Sequence, residues 1–190
     1  CIRDRAERRS RVIEVAMLMA NEGGYEAVQM RAVAERAGVS LGTIYRYFHG
    51  KDDLLIAGLY EWVRSVRLQR ESEPAAGDDA SERLADVLAR SAQSIDRAPV
   101  LIGALITALM TTDAAAAELK LQVEAEVRAL VAAAIGDEPE IDVAGVSRVI
   151  GHVWLSAISR WVGGLAPDGS VEAELRHAVR MLVPARGSAR

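Results

Sequence analysis

The stretch Met30–Phe48 constrains this chain more than any other. A helical octet, Met30–Ala37, ends at Gly38, and Ser40 opens a second short run, Leu41–Tyr47. Val33 and Ala34 form the octet's inward side. Gly38 suits a tight turn, because the left-handed backbone such a turn adopts favours glycine. Val39 plugs the small core, and the Ser40 hydroxyl can cap a helix start. In the second run Ile44 and Phe48 stand four apart, so they share one face and turn it inward. The outward residues are small (Ser40, Gly42, Thr43) or carry hydrogen-bonding tips (Tyr45, Arg46, Tyr47). Two short helices around a glycine turn, the second thin enough to enter a major groove, form a helix-turn-helix.

Blander readings of these residues exist. Tyr45 and Tyr47 would suit a core, yet residues two apart on a helix cannot both face one core. Arg31 and Arg46 would suit a solvated surface. His49 reads as a loop residue, and His152 and His177 read as packing or surface residues.

The remainder of the chain reads as helix, so the expected fold is all-α with nine helices. The first covers about Arg5–Glu22 and stops at Gly23 and Gly24. After the two short helices, Lys51 opens a longer one to about Arg70, with Asp52 and Asp53 in the first turn complementing its dipole. Its apolar stripe is Leu54, Leu55, Leu59, Trp62, Val63 and Val66. Asp79 and Glu82 are spaced as a capping box for a helix to Arg97. Pro99 suits the first turn of the next, to about Thr111. Helices over Asp113–Ile135, Asp142–Val162 and Ser170–Leu182 follow, the last two capped by Asp142 and Ser170. Pro74, Pro99, Pro139, Pro167 and Pro184 punctuate the later segments. No repeat of fixed period is visible. The longest uncharged run, Ala98–Thr112, has 15 residues. That is short of the roughly 20 a membrane span needs, and a buried helix is expected. No membrane partner is expected.

The segment "MRAVAERAGVSLGTIYRYFHGKDDLL" resembles the DNA-binding segment of the TetR family of bacterial transcriptional repressors. The combination of a small-residue turn, Tyr-x-x-Phe and a lysine shortly after carries the likeness. The resemblance implies a homodimer, a helix-turn-helix DNA-binding domain over residues 1–50 and a ligand-binding and dimerisation domain over residues 51–190. By the family's pattern, Arg31 reaches a guanine edge or a phosphate. Thr43 and Tyr45 face the groove, with Ser40, Leu41, Gly42 and Arg46 beside them. Tyr47 and Lys51 are similar to the family's phosphate contacts, which set register rather than sequence. One departure is Gln29, which stands where the family often has Thr or Ser to cap the second helix.

More narrowly, "GGYEAVQMRAVAERAGV" with "GTIYRYF", and "VWLSAISRWV" further on, are similar to the actinobacterial repressors of sterol (cholesterol) catabolism within that family. The likeness implies a repressor that binds a palindromic double-stranded DNA operator and is released by a hydrophobic effector, a steroid or fatty acyl-CoA thioester. Candidate effector contacts are Leu105, Ile106, Leu109, Val127, Trp154 and Ile158. Nearly all of the apolar surface after Asp79 also reads as ordinary core. The residues leave open a DNA-bound architectural protein with no effector.

Composition matters for partners and exclusions. Cys1 is the only cysteine, so an intramolecular disulfide and a Cys–His zinc site are excluded, in keeping with a reducing cytoplasm. No metal or cofactor is expected. No nucleophile elbow, P-loop or GxGxxG pattern marks an enzyme. The net charge of −4 argues, taken whole, against nucleic acid. Split at residue 70 it reads differently: 12 Lys and Arg against 9 Asp and Glu before it, 11 against 18 after it. The basic surplus sits with the helix-turn-helix, where Arg3, Arg5, Arg8, Arg9 and Arg11 add a basic arm. DNA affinity depends on such local charge.

Overall fold

Gly23 and Gly24 set the first boundary of the fold. The computed structural model describes residues 2–73 and 75–184, and at 2–4, 70 and 71 the backbone only. Cys1, Pro74 and the Arg3 side chain therefore lie outside the described residues. Helix α1 (Ile2–Ala27) starts earlier than expected and breaks at Gly23–Gly24, where Gly24 has φ 71°. A short helical turn follows the break instead of a full stop. Helix α2 is Met30–Ala37 and α3 is Leu41–Tyr45. The second short helix thus ends two residues before the expected Tyr47, with Arg46 and Tyr47 continuing as a turn.

Seven of the nine α-helices among the described residues lie close to their expected bounds. Helix α4 is Lys51–Ser72, α5 is Ala80–Asp96 and α6 is Pro99–Leu109. A single 3-10 turn at Ala114–Ala116, capped by Asp113, precedes α7 (Ala117–Ile135). The sequence pattern merged these two, because three alanines carry no signal that separates the two helix types. Helix α8 is Val143–Val162 and α9 is Ser170–Leu182. The expected Ser170 cap is corrected. Gly169, at φ 77°, occupies the cap position, and Ser170 is the first helical residue. Its hydroxyl is buried without a partner. The Asp79–Glu82 box also differs in detail. Asp79 accepts the Glu82 amide at 2.9 Å, while the Glu82 carboxylate takes the Asp78 amide at 2.8 Å.

The described chain forms two compact units. One runs up to Trp62 and takes in Ala98–Val123; the other holds Val63–Arg97 and the chain from Glu124 onward. In the first unit α1 packs on α2 and on α6, and α2 packs on α3. Val12, Ile13, Ala16 and Ala20 are the buried face of α1, with Val33, Ile44, Phe48, Leu54 and Leu55 alongside them in the core. Burying each large apolar side chain contributes about 1.5–3 kcal/mol. Gly58 marks a close crossing of α1 and α4, since a methyl group there would strike the Met17 sulfur.

In the second unit α9 packs on α5 and α8. Leu84, Leu88, Ile95, Ile150, Val171, Leu175 and Val179 are its buried centre. Polar ties fix the helix ends. Arg83 donates to the Ala134 and Ile135 carbonyls at 3.1 and 2.6 Å, closing the end of α7. The Trp161 indole donates to Asp168 at 2.9 Å. Arg67 and Glu126 pair at 2.6 Å, both mostly buried. Among the described residues no single helix is long and apolar enough to cross a membrane.

Candidate nucleic-acid interface

Helix α3 has only five residues, too few to hold a helix without packing. Its neighbours supply what it lacks. Gly38 sits in the left-handed region at φ 67°, and the Val39 amide returns to the Ala34 carbonyl at 3.0 Å. The Ser40 hydroxyl accepts the Thr43 amide at 3.1 Å and meets the Thr43 hydroxyl at 2.8 Å. Ile44 and Phe48 are fully buried and clamp the helix to the core. Val39, expected to plug the core, is half-buried.

The opposite face is built to be touched. Gly42, Tyr45 and Arg46 are exposed, and Leu41, Thr43 and Tyr47 are half-buried around them. Tyr45 is 53% exposed. A large aromatic pointing into solvent from a clamped helix offers both an apolar ring and a hydrogen-bonding tip. Arg31 is exposed in the first turn of α2. Gln29 makes no side-chain cap there, as its identity suggested.

The rim of this face is organised by aromatic–cation and acid–base pairs. The Tyr47 ring tilts against Phe48, and the Arg5 guanidinium lies 5.6 Å over Tyr47. Arg9 lies over Phe48 at 5.4 Å and pairs with Glu61 at 2.6 Å. Arg36 is gripped by Glu22 through two bonds of 2.6 and 2.8 Å. That bond to Arg36 holds the Glu22 carboxyl below its ordinary range. The basic residues around α3 are therefore not equivalent: Arg36 and Arg9 are engaged with carboxylates, while the Arg46 side chain stands exposed.

At the start of α4, Lys51 lies 3.7 Å over the Tyr25 ring and pairs with Glu26 at 3.5 Å. The Tyr25 hydroxyl donates to Asp52 at 2.5 Å. Burial first, and then that bond to Asp52, push the Tyr25 phenol up to about 12. Asp53, 7% exposed, accepts the His49 amide at 2.9 Å and lies 3.2 Å from the His49 ring nitrogen. It fixes the loop joining α3 to α4. Sequence reasoning gave Asp52 and Asp53 only a dipole role and gave Tyr25 none. The spacing of His49 and Asp53 across Gly50 was the available signal, since an acid in a first helical turn often reaches back to a preceding amide.

The effector candidates fall on three helices. Leu105 is buried and Ile106 and Leu109 half-buried on α6, in the first unit. Val127 on α7 and Trp154 on α8 are half-buried and Ile158 on α8 is buried, in the second unit. A groove of about 540 Å³ runs between α8 and α9 in the second unit, lined by Val149, Val153, Ala173, Glu174, His177, Ala178, Met181 and Leu182. None of the six candidates lines it. Gly145 leaves room for its own helix cap: a methyl group there would strike the Asp142 carboxylate.

Residues 12–57 match the bacterial regulatory proteins of the tetR family, and residues 77–182 match the tetracyclin repressor-like C-terminal domain. The chain is 38% identical over 184 residues to the HTH-type transcriptional repressor KstR of Mycobacterium tuberculosis, covering 96% of this chain and 84% of that protein. A TetR transcriptional regulator from Rhodococcus sp. RHA1 shares its structure with a TM-score of 0.86 at 26% identity, over 96% of this chain and 99% of the other. Thermus thermophilus FadR, a TetR-family repressor solved with lauroyl-CoA, superposes with a TM-score of 0.71 at 19% identity, over 96% of each chain. That last likeness is one of fold.

Proposed function

The chain belongs to the TetR family of bacterial regulatory proteins, and from that premise we propose a repressor that reads a palindromic operator as a homodimer and lets go when a hydrophobic effector binds. The observation that carries the reading is the outward face of α3. Tyr45 and Arg46 stand exposed on a helix whose other face, Ile44 and Phe48, is locked in the core. Such an arrangement presents a rigid set of tips to base edges. Thr43 and Tyr45 read the groove, flanked by Ser40, Leu41, Gly42 and Arg46. Tyr47 and Lys51 hold backbone phosphates, which sets the register, and Arg31 reaches a guanine edge or a phosphate.

Residues 1–50 form the DNA-reading head in this account, and residues 51–190 the body that dimerises and takes the effector. The open apolar groove along α8 and α9 is the surface a second copy would cover. A two-fold dimer then sets two recognition helices about 34–36 Å apart, one turn of DNA. Working on an operator places the protein in the cytoplasm.

The effector class is a steroid or fatty acyl-CoA thioester. The high identity to a KstR repressor and the fold shared with an acyl-CoA-bound FadR support it. Leu105, Ile106 and Leu109 on α6, and Val127, Trp154 and Ile158 on α7 and α8, are the candidate contacts. The effector acts only through its different affinity for the two states of the protein, typically about 1–3 kcal/mol of coupling. It shifts α4, and with it the spacing of the recognition helices. The experiment is an operator-release titration with a panel of steroid and fatty acyl-CoA esters. One class should weaken DNA binding about 5- to 150-fold. Release by none of them, with no rise in melting temperature, would favour a DNA-bound protein without an effector.

A further inference from the structure

Resting on the DNA reading above, we propose that Tyr25 is a positioning residue that presents the Lys51 ammonium to a backbone phosphate, with Glu26 holding the phosphate's place in the free protein. A lysine is a point charge on a flexible stem, and a loose stem loses rotamer freedom when it grips an anion. Here the stem is already restrained. The Lys51 ammonium sits 3.7 Å over the Tyr25 ring centroid, on the electron-rich face that attracts cations. The Tyr25 hydroxyl donates to Asp52 at 2.5 Å, which pushes electron density back into the ring and strengthens that attraction. The same bond engages one Asp52 carboxylate oxygen with the phenol.

Glu26 completes the arrangement. Its side chain is 88% exposed and reaches Lys51 at 3.5 Å. The Lys51 side chain is 27% exposed, and an ion pair whose carboxylate stands so open to water holds weakly and exchanges for a phosphate oxygen. The Glu22–Arg36 pair shows the contrast. Two short bonds of 2.6 and 2.8 Å commit that guanidinium, whereas Lys51 meets its carboxylate only at 3.5 Å. Tyr25 and Asp52 thus prepare the cation, and Glu26 keeps it neutralised until DNA arrives.

Double-mutant cycles test this. The probe is a labelled 30-base-pair duplex selected by the wild-type protein from a random pool, titrated by fluorescence anisotropy across a salt series. Lys51→Ala should weaken binding and reduce the salt slope by about one. Glu26→Gln should tighten binding about 2- to 5-fold, and Tyr25→Leu should weaken it about 3- to 10-fold. In the Lys51→Ala background both effects should collapse. If Glu26→Gln tightens binding equally in both backgrounds, Glu26 acts only as diffuse charge and the proposal is overturned. Glu26 is at the surface, so its cycle stands even if Tyr25→Leu fails to fold. Binding lost in Tyr45→Ala but additive at Lys51 overturns the positioning role and leaves the DNA reading intact. A wild-type protein that selects no duplex overturns both.

Discussion

The α2–α3 segment and the α8–α9 pair sort their residues in opposite ways. Around α3 the large apolar side chains Ile44 and Phe48 go fully inward, and apart from the half-buried Leu41 what remains outside is polar-tipped or small. Along α8 and α9 a buried row (Ile150, Val171, Leu175, Val179) coexists with an apolar row left outside, where Val149, Val153 and Met181 line an open groove. The first surface suits hydrogen-bonded reading of an edge. The second suits association, since contiguous exposed apolar area marks a surface that gets covered. A residue's exposure therefore means different things in the two regions.

Substitutions separate these meanings. The largest effect belongs to the clamp. Phe48→Ala should cost about 3–5 kcal/mol, seen as a fall in the urea midpoint, and DNA binding should fail with it. In the body, Met181→Glu sets a charge in the proposed dimer seam, and the dimer should weaken by about 2–4 kcal/mol. Sedimentation at graded concentrations reads that change, while the monomer's far-ultraviolet dichroism should hold. Tyr45→Ala is the head's counterpart. Stability should stay within about 0.5 kcal/mol of wild type, while operator affinity falls about 10- to 100-fold, the value of a good base contact. If Tyr45→Ala unfolds the protein instead, the polar-reading account of α3 is broken.

Smaller effects sharpen the picture. Ser40→Ala removes the cap on α3 and should cost about 1 kcal/mol, with a matching weakening of operator binding. Asp96 supplies a pH signature in the body. Burial first, and then the neighbouring carboxylates Asp168 and Glu172, raise its carboxyl above the ordinary value. An acid whose pKa is raised by folding lowers stability once both states are ionised. Asp96→Asn should therefore raise the melting temperature at neutral pH. The gain should disappear as the pH falls below the ordinary aspartate value near about 4.

The same contrast explains how much was legible in the sequence. The head could be read because its rules are local. Gly38 must turn, Ser40 must cap, and Ile44 and Phe48 must share a face, all within eleven residues. Helix boundaries elsewhere followed prolines, glycines and capping acids, with Ser170 and the Ala114–Ala116 turn as the exceptions. Ser170 failed because Gly169, at φ 77°, took the cap position one residue earlier. Tyr25 was passed over for another reason. Tyr25 finds Asp52 across 27 positions, a distance at which spacing carries no information. In the body, an effector contact and a core residue are both apolar side chains on an amphipathic helix. Leu105 and Ile158 are as buried as the core around them, so periodicity could not separate the two roles.

In the proposed repressor the exposed face of α3 reads DNA. Selection from a random duplex pool by the wild-type protein and by Tyr45→Ala, run in parallel, tests it most directly. The wild type should enrich one palindrome, with half-sites one helical turn or a multiple of it apart, and the folded Tyr45→Ala protein should fail to enrich it. The same palindrome emerging from both proteins would contradict it.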